Sequence, residues 1–390
     1  MPNSAGSRVA FANSLRGFAA LSVIISHYYG VFWKEPAAVS ALLHVPALPN
    51  ANLSVPIYIH VLQFSSLFNW GPFGVALFFL ISGFVIPSAL QKTTAAQFVI
   101  TRMFRILPTY AVGLAVSLGV IYLGGWYFEH PFPFQAEEIF VHFIPGIRDI
   151  LGTTNIDGII WTLEIEVKFY LICLLIKPWF NTKSLKVFLI PVGLCVLSWM
   201  MGRLLHKVPD DCPQMHRLML VAIYAAPYLV FMFIGVAFHY LYHKIISAEK
   251  ALVVMAGLFL MFLLLWRVGP YQSLLPIMWN YGFALFLFVV AYTHPAKFAG
   301  NRLSDFLSEI SYPLYVFHAI TGYMALRILI DKGCPAWLAL SVVTTAILLL
   351  SWLVSQFIER PALRLGKSIA KQWLQWWPAP RQSAQASLAN

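Results

Sequence analysis

Residues 71–90 read GPFGVALFFLISGFVIPSAL, twenty positions without one ionisable side chain. At about 1.5 Å of rise per residue, a helix of that length spans about 30 Å, the thickness of a bilayer's hydrocarbon core. In lipid the backbone must satisfy its own polar groups, so the run is expected to be a helix. Comparable runs recur along the chain, over 15–33, 70–90, 98–123, 157–177, 185–203, 217–241, 251–267, 273–292, 308–330 and 336–358. Of the 390 residues, 60% are hydrophobic and only 11% charged, and the mean hydropathy is +0.75. A soluble domain needs about a quarter of its residues charged to coat its surface. The expected fold class is therefore all-α, a polytopic membrane protein with about ten transmembrane helices. One membrane domain occupies 1–360, and a short interfacial tail follows over 361–390. The tail contains Trp373, Trp376 and Trp377 beside Lys371, a composition suited to the membrane surface.

The net charge of +11 raises the question of nucleic acid, and the distribution of basic residues answers it. With both termini cytoplasmic, inner segments hold Arg16, Lys92, Arg102, Arg105, Lys177 and the basic residues from Arg360 to Arg381. They carry roughly twice the basic residues of the outer segments, as the positive-inside rule expects. No nucleic-acid partner is needed to explain the charge. The outer loop near Arg203–Arg217 is more basic than the rule anticipates. Arg16 and His27 interrupt the first apolar run, which is read as a retained span and not a cleaved signal. Cys173 and Cys195 fall in spans. Cys212 and Cys334 fall in outer loops, where a bridge is permitted but not established by position.

Ionisable residues inside spans are expensive and therefore functional candidates. Arg16 and His27 are eleven residues apart, which places both on one helix face about 16 Å apart along the axis. Arg102 and Arg105, at i and i+3, share the first turn of a span and suit phosphate, as they equally suit lipid headgroups. In WTLEIEVKFY (161–170), Glu164 can pair with Lys168 at i+4. That pairing leaves Glu166 on another face, near the expected height of His27. Ser82 and Gly83 sit in a helix whose small residues suit close packing or a thin ligand. Ser311, Tyr315 and His318 form a polar stripe with Tyr312 beside it, suited to a channel or to interhelical hydrogen bonds. No metal-ligand constellation is expected.

The order and spacing of these motifs resemble the acyltransferase-3 family of bacterial integral membrane proteins. Arg16 and His27 resemble its first-span motif, Arg102 and Arg105 its R-x-x-R pair, and FFLISGFVI (78–86) its second span. WTLEIEVKFY places Glu166 on the family's W-[ST]-L-x-x-E-x-x-F-Y, while SYPLYVFH (311–318) and ERP (359–361) resemble its closing segments. The resemblance implies a stand-alone member in the inner membrane that moves an acyl group, acetyl by preference, from cytoplasmic acyl-CoA. The acceptor would be a hydroxyl on a carbohydrate or lipid-linked glycan at the outer side. His27 would be the general base supported by Glu166. Arg16, Arg102 and Arg105 would hold the acetyl-CoA phosphates, with Ser82, Gly83, Tyr312, Tyr315 and His318 along the pantetheine path. The rival class is a transporter of a glycan precursor or small anion, with the same buried charges as its pathway.

Overall fold

The computed structural model describes residues 4–49, 55–63, 67–209, 211–269 and 275–376, and among these residues every regular element is helical. Helices stand at all ten expected places. They are α1 (Ser4–Ser26), α2 (Trp70–Gln91), α3 (Ala95–Phe128), α4 (Ile160–Leu175), α5 (Leu189–Leu204), α6 (Pro213–Tyr242), α7 (Ala248–Val268), α8 (Leu275–Thr293), the pair α9 (Ser311–Phe317) and α10 (Ala319–Asp331), and α11 (Ala336–Val354) running on into α12 (Arg360–Trp376). Among the described residues, six are long and apolar enough to cross a membrane, or seven when α9 and α10 count as one span bent by 55°. α4 falls short, since its 16 residues include three charges. The chain therefore has the length and composition of a multi-pass membrane protein, with six or seven spans supported on those grounds.

The closest helix crossing explains the small residues of α2. A Cβ added to Gly83 would run into the backbone oxygen of Met232, with the Gly235 Cα of α6 3.0 Å away. Only a glycine on each helix lets these two backbones meet. Around this crossing the buried faces of α1, α2, α4, α6, α7 and α8 share one aromatic-rich core, including Phe11, Phe169, Phe231, Phe262 and Tyr281. A second core joins α1, α3, α9, α10 and α11 around Tyr28, Tyr110, Phe317 and Tyr323.

Two departures from straight helix matter for function. α1 continues through a π-turn at His27–Val31, and α11 through another at Ser355–Glu359. Such turns insert an extra residue and re-aim the side chains they carry. At the break between α9 and α10 a side chain from α1's π-turn meets the main chain. The Tyr28 hydroxyl donates to the His318 carbonyl at 2.8 Å, alongside the Gly322 amide at 3.2 Å, so a side chain enters the helical ladder.

The loop before α4 is built by ion pairs. The expected Glu164–Lys168 pair does not form. Arg148 binds both Glu164 oxygens, at 2.9 and 2.6 Å, and Lys168 pairs with Asp149 at 2.6 Å. The planar guanidinium fork matches a carboxylate better than a single ammonium does, so it takes the glutamate. Asp157 then caps α4 by accepting from the amides of Ile159 and Ile160, each at 3.0 Å. All four cysteines are free, Cys212 and Cys334 included. Beyond Pro361 helix α12 packs back on α3, where the Gln97 amide donates to the Ala370 carbonyl at 3.2 Å. Trp377 and Arg381 lie outside the described residues.

Candidate active site

Two chambers lie end to end between the helices. The first, with about 660 Å³ of empty space, is lined by Arg16 of α1, Ser82 of α2, Arg105 of α3, Glu166 of α4 and Ser311, Tyr312 and Tyr315 of α9. Its glutamate is fixed from two sides: Ser82 donates to Glu166 Oε1 at 3.1 Å, and the Tyr170 hydroxyl donates to the same oxygen. Arg102, one turn before Arg105, lies over the rings of Phe98 and Tyr170, 5.2 and 5.4 Å from their centroids. Glu359, placed by the second π-turn, is buried and leaves its Oε2 without a hydrogen bond.

The arginines in and beside this chamber share the lack of an ion pair: among the described residues there are four such pairs, none of which includes Arg16, Arg102 or Arg105. The Arg102 Nε is buried with no hydrogen-bond partner. A buried polar group without a partner is costly, and a bound anion is one partner that would satisfy it. Three guanidiniums against Glu166 and Glu359 leave the region net positive, which fits a polyanion.

The second chamber, with about 860 Å³ of empty space, is lined by His27, Asn69, Trp161, Tyr228, Tyr315 and His318, among others. His27 opens the π-turn of α1, and its Nδ1 is hydrogen-bonded to the Tyr323 hydroxyl of α10. The edge of one histidine ring meets the face of the other, with 4.5 Å between the centroids of His27 and His318. Val75 and Tyr315 belong to the walls of both chambers. The partition is held shut by a hydrogen bond of 2.7 Å between Tyr315 and Thr162. Thr162 spends its own proton on the Ile159 carbonyl at 3.0 Å, so Tyr315 is the donor.

The fold thus brings Arg16, Ser82, Arg105, Glu166, Tyr312 and Tyr315 to one chamber and His27 and His318 to the next. Arg102 stands beside the first chamber on the face toward Tyr170. Gly83 is used up by the crossing with α6. Glu166 and His27 are not brought together: Ser82 and Tyr170 hold the carboxylate, and Tyr323 holds the imidazole. Tyr170 and Glu359 fall within the quoted motifs but are given no role there, and Tyr323 has no distinct signal in sequence. Tyr323 falls five residues after His318, off the straight-helix stripe, and only the bend returns it to His27.

Comparison with known proteins identifies the family. The profile described as Acyltransferase domain, that of the acyltransferase-3 family, matches residues 9–356. Nodulation protein 10 of Rhizobium leguminosarum bv. viciae is 25% identical over 404 residues, covering 95% of this chain and 98% of the relative. Acetyltransferase ORF330 of Acidianus two-tailed virus is 27% identical over 279 residues, covering 69% of this chain and 80% of the relative. No solved structure matches. With the profile spanning nearly the whole membrane domain, the chain belongs to the acyltransferase-3 family of membrane acyltransferases.

Proposed function

We propose that this acyltransferase takes an acyl group, acetyl by preference, from acyl-CoA at the cytoplasmic face of a bacterial inner membrane. It delivers the group to a hydroxyl of a sugar or lipid-linked glycan on the outer side. The observation that carries the reading is the pair of adjoining chambers, one with unpaired arginines and one with histidines. The diphosphate and 3′-phosphate of the donor suit Arg16, Arg102 and Arg105, which form no ion pair among the described residues. The thin pantetheine arm suits the path past Ser82 and Tyr312 to the Tyr315 partition. The thioester then emerges beside His27 and His318, where Trp161 and Tyr228 offer aromatic faces to a sugar ring. A neutral imidazole there has a nitrogen lone pair that can accept the hydroxyl proton. Glu166, bound to Ser82 and Tyr170, serves to balance the arginines.

The test supplies purified chain in proteoliposomes with acetyl-CoA on one side and a sugar acceptor on the other. Release of free thiol with acetylated acceptor on the opposite side is expected. Transport of the acceptor with no thiol released would replace this reading with the transporter one.

A further inference from the structure

Resting on the acyl-transfer reading, we propose that His318 takes the proton from the acceptor hydroxyl, while His27 donates a hydrogen bond to the thioester oxygen. The partner of each Nδ1 decides which nitrogen of that ring carries the proton. His318 Nδ1 lies 2.7 Å from the Tyr315 carbonyl oxygen. A carbonyl can only accept, so Nδ1 carries the proton and Nε2 of the neutral ring keeps its lone pair. That Nε2 is buried with no partner, on a ring only 1% exposed that lines the histidine chamber. It is a fixed acceptor with nothing to accept from except a molecule in the chamber.

His27 is arranged the other way. Its Nδ1 meets the hydroxyl of Tyr323, which is 1% exposed and whose hydroxyl has this one hydrogen bond among the described residues. A buried hydroxyl left without an acceptor is costly. Tyr323 therefore donates to Nδ1, and the imidazole proton of His27 sits on Nε2. That nitrogen makes no hydrogen bond among the described residues and belongs to a half-buried ring at the chamber wall. The two rings, 4.5 Å apart and edge to face, present one acceptor nitrogen and one donor nitrogen to the same space.

The step balances with these groups alone. The hydroxyl oxygen bonds to the thioester carbon as its proton passes to His318 Nε2. His27 Nε2–H holds the carbonyl oxygen as it gains negative charge. The C–S bond then breaks, the leaving thiolate takes the proton from His318, and ester and free thiol depart with both rings restored. Tyr323 and the Tyr315 carbonyl are positioning groups, each fixing one tautomer.

Two measurements on the full chain test the assignment. Nitrogen-15 shifts of the histidine rings report the tautomers directly. The proton is expected on Nδ1 of His318 and Nε2 of His27, and the reverse pattern would overturn the proposal without any variant. Initial rates in light and heavy water then compare His318→Gln with His27→Gln. His318→Gln should lower the rate about 10²- to 10⁴-fold and abolish the solvent isotope effect, with donor KM and melting temperature retained. His27→Gln, whose amide can still donate, should lose less and keep the isotope effect. Loss of that effect in His27→Gln with its survival in His318→Gln would return the base role to His27. A wild-type chain that releases no thiol would instead overturn the acyl-transfer reading itself.

Discussion

Substituting Arg105 with glutamine separates donor binding from folding, because the structure gives Arg105 no ion pair to lose. A charge-assisted hydrogen bond to phosphate contributes about 1.5–3 kcal/mol. At about 1.4 kcal/mol per decade, its removal raises the donor KM about 10- to 140-fold. Stability should fall less than on breaking a direct ion pair, since Arg105 makes none among the described residues and Arg16 remains to balance Glu166 and Glu359. Arg148→Gln is the matched control. It strips Glu164, whose side chain is 2% exposed, of a bidentate partner, and breaking a buried pair in this way costs about 3–5 kcal/mol. The assay is thiol release against acetyl-CoA concentration, paired with thermal unfolding in one detergent. Arg105→Gln should move chiefly the kinetics, and Arg148→Gln should move the melting temperature. An unchanged donor KM in Arg105→Gln would refute the phosphate role, and a melting temperature as low as that of Arg148→Gln would show Arg105 to be structural.

Other consequences follow from single contacts. Gly83→Val places side-chain atoms on the Met232 backbone, so α2 and α6 must separate. Such overpacking costs about 1–3 kcal/mol, read as lower melting temperature and lower yield in membranes. Tyr315→Ala removes the hydroxyl that closes the partition on Thr162 and joins the chambers. Thiol release without acceptor should rise several-fold relative to transfer, on the order expected when water reaches a sequestered thioester. In the loop before α4, burial pulls the His142 imidazole below its ordinary range, and its Nε2 accepts the Ile156 amide at 3.0 Å. With the folded value below the unfolded one, this contact stabilises the loop fully above about pH 6.5. The contribution is lost as pH falls through the folded value. Protease cleavage within 143–156 should therefore increase on acidification, and His142→Gln should flatten that dependence.

Much was legible in the sequence because lipid imposes a local rule. A run such as 71–90 has no alternative to a helix in hydrocarbon, so ten helix positions could be read from hydropathy alone. The same rule flagged Arg16, His27, Arg102, Arg105 and Glu166, since a charge in a span demands a reason. Helical spacing also placed Arg16 and His27 on one face, and each does line a chamber. What spacing could not supply was which partner each charge meets. Glu164 chose Arg148, sixteen residues away in a loop, over Lys168 on its own helix. Glu166 went to Ser82 and Tyr170, and His27 to Tyr323 at a separation of 296 residues. Hydrogen bonds depend on ångström distances and on direction, and those arise only when distant segments pack. The bend at His318 is the clearest case. Without it Tyr323 points away from His27, and the protons on the two histidines, with the chemistry they permit, stay undefined.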